Sequence, residues 1–346
     1  MSIHLGDDST KFSTKITLVS LLSFTGTMKD DLLHVIAVIS NPVRYRSRYK
    51  LFKDFEKQIS SCGAKLLVVE CAYGDRPFEI TSGDNKNHIQ VRTSHELWHK
   101  ENLINIGISR LPSDWKYVAW VDADITFARH DFACETVQQL QHFDIVQMFS
   151  HAIDLGPEEE PIQSHEGLGF CYWKALKGIQ AYKTSLNQGG SYYYQPGKSN
   201  LWHPGFAWAA RRKALDDLGG LMDFCILGAA DHHMARCLIG DGMTTLPQNI
   251  GSSYCERVKV WQERADRFIN RNIGYTPGTI MHHWHGPKRQ RYYAERWKIL
   301  TRNGYDPGVD LKYDTQGLLQ LTDRSMELRD GIRSYFRARN EDGLDL

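Results

Sequence analysis

The sequence predicts an α/β protein with a mostly parallel sheet flanked by helices, and three observations point there. The apolar runs at 33–39, 64–71 and 117–121 are too continuous for a sheet with one wet face and read as strands buried on both sides. Helical periodicity fills the stretches between them, and a strand–helix–strand order calls for parallel strands joined by crossovers. Two of the strands then run directly into polar residues, Asn41 to Arg48 and Asp122 to Asp124. Both lie at carboxyl ends, where sheets of this kind bind ligands.

Each element follows from a local signal. Residues 1–31 are polar with one apolar island at 16–24 and read as a lead-in. The island is too short to span a bilayer, follows Asp7 and Asp8, and has no small-residue cleavage site behind it. A cytoplasmic protein without a membrane span is the expectation. Asn41-Pro42 ends the first strand, because proline cannot continue the ladder. Tyr45, Tyr49, Phe52 and Ile59 then recur at helical spacing up to Gly63, a helix stop. The polar stretch 75–88 is a loop, 89–93 a short strand, and 96–110 a helix with Leu97, Ile104 and Ile108 on one side. Further strands are expected at 144–149, 206–210 and 279–284, and helices at 211–218, 231–239 and 252–271. Pro287 opens a last helix to 302. The main domain spans 32–302, and 303–346 reads as a polar tail.

Composition narrows the function classes. A chain of 346 residues with 41% hydrophobic and 24% charged residues can build a sizeable core. A net charge of +1 provides no whole-chain field toward nucleic acid or membrane. Seven cysteines with no C-x-x-C pair fit buried thiols in a reducing compartment rather than a disulfide framework or a zinc site.

Five constellations carry chemistry. Asp122-Ala123-Asp124 ends a buried strand, and two carboxylates so close repel unless a cation joins them. Hard oxygen ligands suit Mg²⁺ or Mn²⁺ with a phosphate as co-ligand. Pro42-Val43-Arg44-Tyr45-Arg46-Ser47-Arg48 sets three arginines at a helix start, where guanidinium forks and free N–H groups suit phosphate. Trp98 and Lys100 near another helix start could stack on a base and touch a phosphate. Gly228-Ala229-Ala230 lets a ligand approach Asp231, which is either a helix cap or a general base. Finally, His282, His283 and His285 lie within four residues, and on a strand His283 and His285 would share a face. Behind them Lys288, Arg289, Arg291, Arg296, Lys298 and Arg302 face only Glu295. That segment could hold a diphosphate, bind nucleic acid or simply be solvated.

Taken together, these pieces resemble a GT-A glycosyltransferase, most closely the inverting β-1,4-galactosyltransferase type. The family's Pro-x-Arg-x-Arg loop matches Pro42 to Arg46, and its aromatic and basic residues before Leu-Leu-Asn-x-Gly match Trp98 and Lys100 before Leu103-Ile104-Asn105-Ile106-Gly107. Its D-x-D matches Asp122 and Asp124, its Gly-Gly-Glu-Asp-Asp matches Gly228 to Asp231, and its late metal-binding histidine falls among His282 to His285. The matches run in order over 35–300. Ala230 stands where the family has Glu, and the Trp-Gly-Trp-Gly lid motif is absent, so sugar identity does not carry over.

The resemblance implies a GT-A (Rossmann-like) sheet with a smaller mixed β region on the acceptor side. It implies a metal-dependent transfer from a nucleoside-diphosphate sugar, a UDP-sugar, to a glycan or other hydroxyl acceptor, with inversion. Asp124 and His285 would ligate Mn²⁺ or Mg²⁺, with Asp122 at the metal or the ribose, and His282, His283 and Lys288 as further metal or diphosphate contacts. Pro42, Arg44, Arg46, Trp98, Lys100, Gly205 and Trp208 would meet the donor, aromatics of 192–208 would stack on sugars, and Asp231 would be the base. A nucleic-acid acceptor stays open through the basic segment but finds no support in net charge. The rivals are a nucleotidyltransferase on a similar sheet, which needs neither Asp231 nor a late histidine, and a non-catalytic sugar-binding module.

Overall fold

The computed structural model describes residues 31–179 and 201–345. The expected segments 16–24 and 192–200 lie outside the described residues. Strands β1 (Leu33–Ser40), β2 (Lys65–Tyr73), β3 (His88–Thr93) and β4 (Tyr117–Val121) pair in parallel, in the order β4-β1-β2-β3. Helix α1 (Arg46–Ser61) connects β1 to β2, and α2 (Lys100–Ser109) connects β3 to β4. The strands alternate between two cores, as period-2 geometry demands. Val35, Ala37, Val68 and Ala119 pack with Phe52, Phe55 and Ile59 of α1. Ile36, Val69, Val118 and Trp120 pack with Leu103, Ile104 and Ile106 of α2 on the other face. Both faces are therefore covered, which is why these strands read as unbroken apolar runs.

After β4 come β5 (Ile125–Phe127), α3 (Phe132–Gln139), β6 (Ile145–Gln147), β7 (His151–Leu155), β8 (Pro161–Gly167), α4 (Leu168–Leu176), β9 (Leu201–His203), β10 (Ala207–Arg211), α5 (Arg212–Leu218), α6 (Ala230–Cys237) and α7 (Ser252–Arg264). Then follow β11 (Ile273–Tyr275), β12 (Thr279–His282), α8 (Trp297–Arg302), β13 (Leu311–Tyr313), β14 (Leu319–Leu321) and α9 (Met326–Ala338). The large sheet has seven strands in the order β11-β6-β10-β4-β1-β2-β3, and within it only β10 runs antiparallel to its neighbours. It is the mostly parallel sheet expected. A smaller mixed sheet, β5-β12-β7-β8-β9, stands beside it and carries His282 opposite Asp154.

Three expected elements end elsewhere. The strand expected to Trp284 stops at His282, and the chain then leaves the sheet. The helix expected over 287–302 is a short 3₁₀ turn, Lys288–Arg291, and then α8, because Tyr292 between them adopts a left-handed φ of 48°. The residues from 303 onward, expected as a polar tail, are built into the fold. Leu328, Ile332, Tyr335 and Phe336 form an apolar stripe on α9 at helical spacing and join the core that α2 packs into. Beyond α9, the Asp342 carboxylate accepts the Arg46 and Ser47 N–H groups at 2.9 and 2.8 Å and so caps α1. Among the described residues, no helix is long and apolar enough to cross a membrane.

Candidate active site

The carboxyl ends of β1 and β4 open into a cavity of about 480 Å³. The starts of α2 and α6, the end of β12 and the segment after α9 complete its wall. At the end of β1 the Asn41 side chain pins the turn, accepting the Tyr45 N–H at 3.0 Å and donating to the Tyr45 carbonyl at 2.8 Å. Pro42 lines the cavity as expected. Of the three arginines only Arg48 does. It leads the buried stripe of α1, Arg48, Phe52, Phe55 and Ile59, whereas Arg44 and Arg46 fall off that stripe and are exposed. Arg44 pairs instead with Glu79 at 2.6 Å. The N–H groups expected to receive phosphate are taken by Asp342, and Arg48 is bound by the buried Glu341, which also pairs with Arg339. Arg48 and Arg339 hold the Glu341 carboxyl well below the usual range against the upward pull of burial.

At the start of α2, Trp98 lies parallel to Phe336 with centroids 6.4 Å apart, and the Arg339 guanidinium sits 5.1 Å from the Trp98 ring. Lys100 forms an ion pair with Asp122. Burial alone would lower the Lys100 ammonium, but the neighbouring carboxyl groups, Asp122 foremost, together outweigh it and raise it. Asp122 is thereby turned toward Lys100.

Asp124, His282 and His285 converge, with one ligand atom from each within 4.8 Å of the others. The tautomers follow from their partners. The His282 Nδ1–H donates to Asp154 Oδ1 at 2.7 Å, which turns the Nε2 lone pair toward His285 Nε2 at 3.2 Å. The Arg291 guanidinium donates to that same His285 Nε2 at 3.0 Å, so it too is an acceptor. Burial, with Arg291 beside it, lowers His285 to about 4, so the ring is neutral at pH 7. Asp124 Oδ2 lies 3.1 Å from His285 Nε2, and Asp124 Oδ1 is buried without a hydrogen-bond partner. Burial would raise the Asp124 carboxyl, yet the cationic and imidazole neighbours hold it below its ordinary range. None of these three facing groups brings a proton of its own to the gap, and one carboxylate with two imidazoles is a donor set that fits a divalent cation. Asp154, pinned also by His165 and Lys288, backs His282 as a carboxylate behind a metal-ligating imidazole does.

Of the two further histidines expected as contacts, His282 joins the cluster and His283, which would share a strand face with His285, does not. Because β12 ends at His282, strand periodicity no longer governs the next residues, and His282 rather than His283 meets His285. His283 is hydrogen-bonded to Thr126 Oγ1 at 2.6 Å, outside the cluster. Lys288 pairs with Asp154, and Arg296 is buried in the cavity wall. Lys288, Arg291 and Arg296 therefore turn inward rather than making an outer basic face.

On the far side of the cavity Asp231 sits in the first turn of α6, after Ala229 at a left-handed φ of 81°. Its Oδ1 accepts the His232 N–H at 2.8 Å. Its Oδ2 lies so near Gly205 that a Cβ there would come within 2.6 Å, so Gly205 makes room for the carboxylate. Trp208 is core: its indole N–H donates to the Pro204 carbonyl at 2.7 Å, and its ring packs beneath β10. Within 192–208, Phe206 lines the cavity, stacked on His203 at 3.7 Å. Cavity residues to which the sequence assigned no role include Glu101, Arg339 and Glu341. The periodicity of α9 was the one available signal for the last two.

No family model matches the chain, and no curated protein matches it. Solved structures with a similar fold include a Drosophila β1,4-galactosyltransferase 7 in complex with manganese, UDP-Gal and xylobiose, at 11% identity and a TM-score of 0.38, covering 87% of this chain and 98% of that one. The same enzyme's catalytic domain with xylobiose gives 11% identity and 0.35, with the same coverage. Glucosyl-3-phosphoglycerate synthase from Mycobacterium tuberculosis, in complex with Mn²⁺, UDP and phosphoglyceric acid, gives 11% and 0.34, covering 85% and 88%. The chain is a mixed α/β protein with a large, mostly parallel sheet flanked by helices.

Proposed function

We infer that this protein is a glycosyltransferase that moves a sugar from a nucleoside-diphosphate sugar, a UDP-sugar, to an acceptor hydroxyl with inversion at the anomeric carbon. One observation carries the reading: the acceptor-only cluster of Asp124, His282 and His285 shares a single cavity with Asp231, which stands apart from it. Asp124, His282 and His285 would hold Mn²⁺ or Mg²⁺, which when bound would offset charge on a departing diphosphate. Asp231 has one oxygen tied to the His232 N–H and the other left to take the proton of an attacking hydroxyl. Arg48, Arg291, Arg296 and Arg339 supply positive charge along the diphosphate's side of the cavity. Asp122, engaged by Lys100, is left to the ribose rather than the metal. The acceptor is a glycan or another hydroxyl compound. Seven free thiols support a reducing, cytoplasmic setting.

A donor screen tests this reading. Nucleoside diphosphate should be released from at least one sugar nucleotide with Mn²⁺ and not in excess EDTA. Pyrophosphate release from a nucleoside triphosphate would identify nucleotidyl transfer instead, and sugar binding without any release would identify a binding module.

The nucleotide end makes a separate expectation. Trp98→Leu removes the ring beside Arg339 and should raise the donor KM about tenfold, the scale of ~1.4 kcal/mol. Arg46→Ala, at an exposed side chain outside the cavity, should leave KM unchanged. Steady-state kinetics on the two variants separates them, and a rise in both would return Arg46 to the site.

A further inference from the structure

Glu101 is a carboxyl group of the cavity wall that the reading above does not use. It follows Lys100 on α2, is only 3% exposed, and its Oε2 is buried with no hydrogen-bond partner. Buried polar groups in folded proteins are nearly always paired, so an orphan in a ligand cavity calls for a partner from outside the chain. It lines the same cavity as Lys100, Asp122 and Asp231, the residues read as flanking the reacting sugar. Lys100, Glu101, Phe206 and Asp231 also form the wall shared with a second, apolar cavity of about 20 Å³, which leaves few polar groups behind it.

We propose that Glu101 is a specificity-determining residue that hydrogen-bonds a hydroxyl of the sugar being transferred. This rests on the sugar-nucleotide reading of the cavity. Burial raises the Glu101 carboxyl to about 8, so at neutral pH it keeps its proton. A protonated carboxyl offers both an O–H donor and an acceptor oxygen, the pair that one sugar hydroxyl can satisfy. A site built to pair a hydroxyl rejects analogues that lack it or present it wrongly, because its own buried group is then left unmatched. A charged group would serve less well, since Asp231 and Asp122 already crowd the site with negative charge.

The test compares wild type, Glu101→Gln and Glu101→Met on UDP-glucose, UDP-galactose, UDP-N-acetylglucosamine and UDP-N-acetylgalactosamine. Both substitutions keep the length of the side chain, but only the amide keeps a donor and an acceptor. Glu101→Gln should retain the wild-type preference. Glu101→Met should lose it, with kcat/KM for the preferred donor over its hydroxyl epimer falling about 10- to 100-fold while UDP and Mn²⁺ affinities stay within twofold. An unchanged preference in Glu101→Met, or an equal loss on every donor, would overturn the proposal and leave Glu101 as a structural residue satisfied by trapped water. If wild type releases UDP from none of the donors, the sugar-nucleotide reading itself fails, and the proposal falls with it.

Discussion

Asp231→Asn should lower the transfer rate by about 10²–10⁴ while donor and metal affinity remain at wild-type values. The substitution is nearly isosteric, and the Asn oxygen can still accept the His232 N–H that Asp231 Oδ1 accepts at 2.8 Å. The first turn of α6 therefore keeps its contact, and stability should change by well under ~1 kcal/mol. What is lost is the free carboxylate oxygen beside Gly205, the atom positioned to take a proton. Asp124, His282 and His285 form their cluster without Asp231, so Mn²⁺ binding should not move. The signature is thus a fall in kcat with donor affinity intact. Product stereochemistry is a second check, because a base acting on an attacking hydroxyl opposite the leaving group inverts the anomeric centre. Near-normal turnover by the Asn variant, or NMR evidence of a retained configuration, would reduce Asp231 to a helix-terminus residue.

The other large effect concerns the metal. Transfer should fall by roughly 10³ in excess EDTA and return with added Mn²⁺, the scale of several kcal/mol of charge stabilisation. The histidines provide an internal control. His282→Ala removes one of the converging ligands and should weaken Mn²⁺ binding at least about tenfold, the size of effect that disturbing a metal site usually has. The fold should tolerate this change, because Asp154 keeps His165 and Lys288 as partners. His283→Ala, whose ring bonds Thr126 outside the cluster, should leave Mn²⁺ affinity within twofold. Titration followed by Mn²⁺ electron paramagnetic resonance reads both variants directly. Full turnover in EDTA would remove the metal from the mechanism, and the reverse ranking of the two histidines would restore the strand-face assignment.

Much of the scaffold was legible because its signals are local. β1, β2 and β4 declare themselves by unbroken apolar runs, since a parallel strand covered on both faces has no solvent side to make polar. Asp122-Ala123-Asp124 and Gly228-Ala229-Ala230-Asp231 stand out because carboxylates and small residues follow elements where a core needs neither. Each of these signals sits within a few residues of the group it announces.

What only the tertiary structure decided depends on where elements stop and on what arrives from far along the chain. Arg48 rather than Arg44 or Arg46 enters the cavity because it lies one turn before Phe52 on the face of α1 that Phe52, Phe55 and Ile59 fix against the core. His282 joins His285 because β12 ends between them, and periodicity has no meaning past that end. Trp208 went to the core because β10 inserts antiparallel between β4 and β6, which pairing alone determines. Glu341 and Asp342 reach Arg48 and the α1 amides from nearly 300 residues away. The apolar stripe of α9 was readable in Leu328, Ile332, Tyr335 and Phe336, but that its continuation would cap α1 was not. Local chemistry names the residues able to act, and long-range packing, which no short window of sequence contains, selects which of them meet.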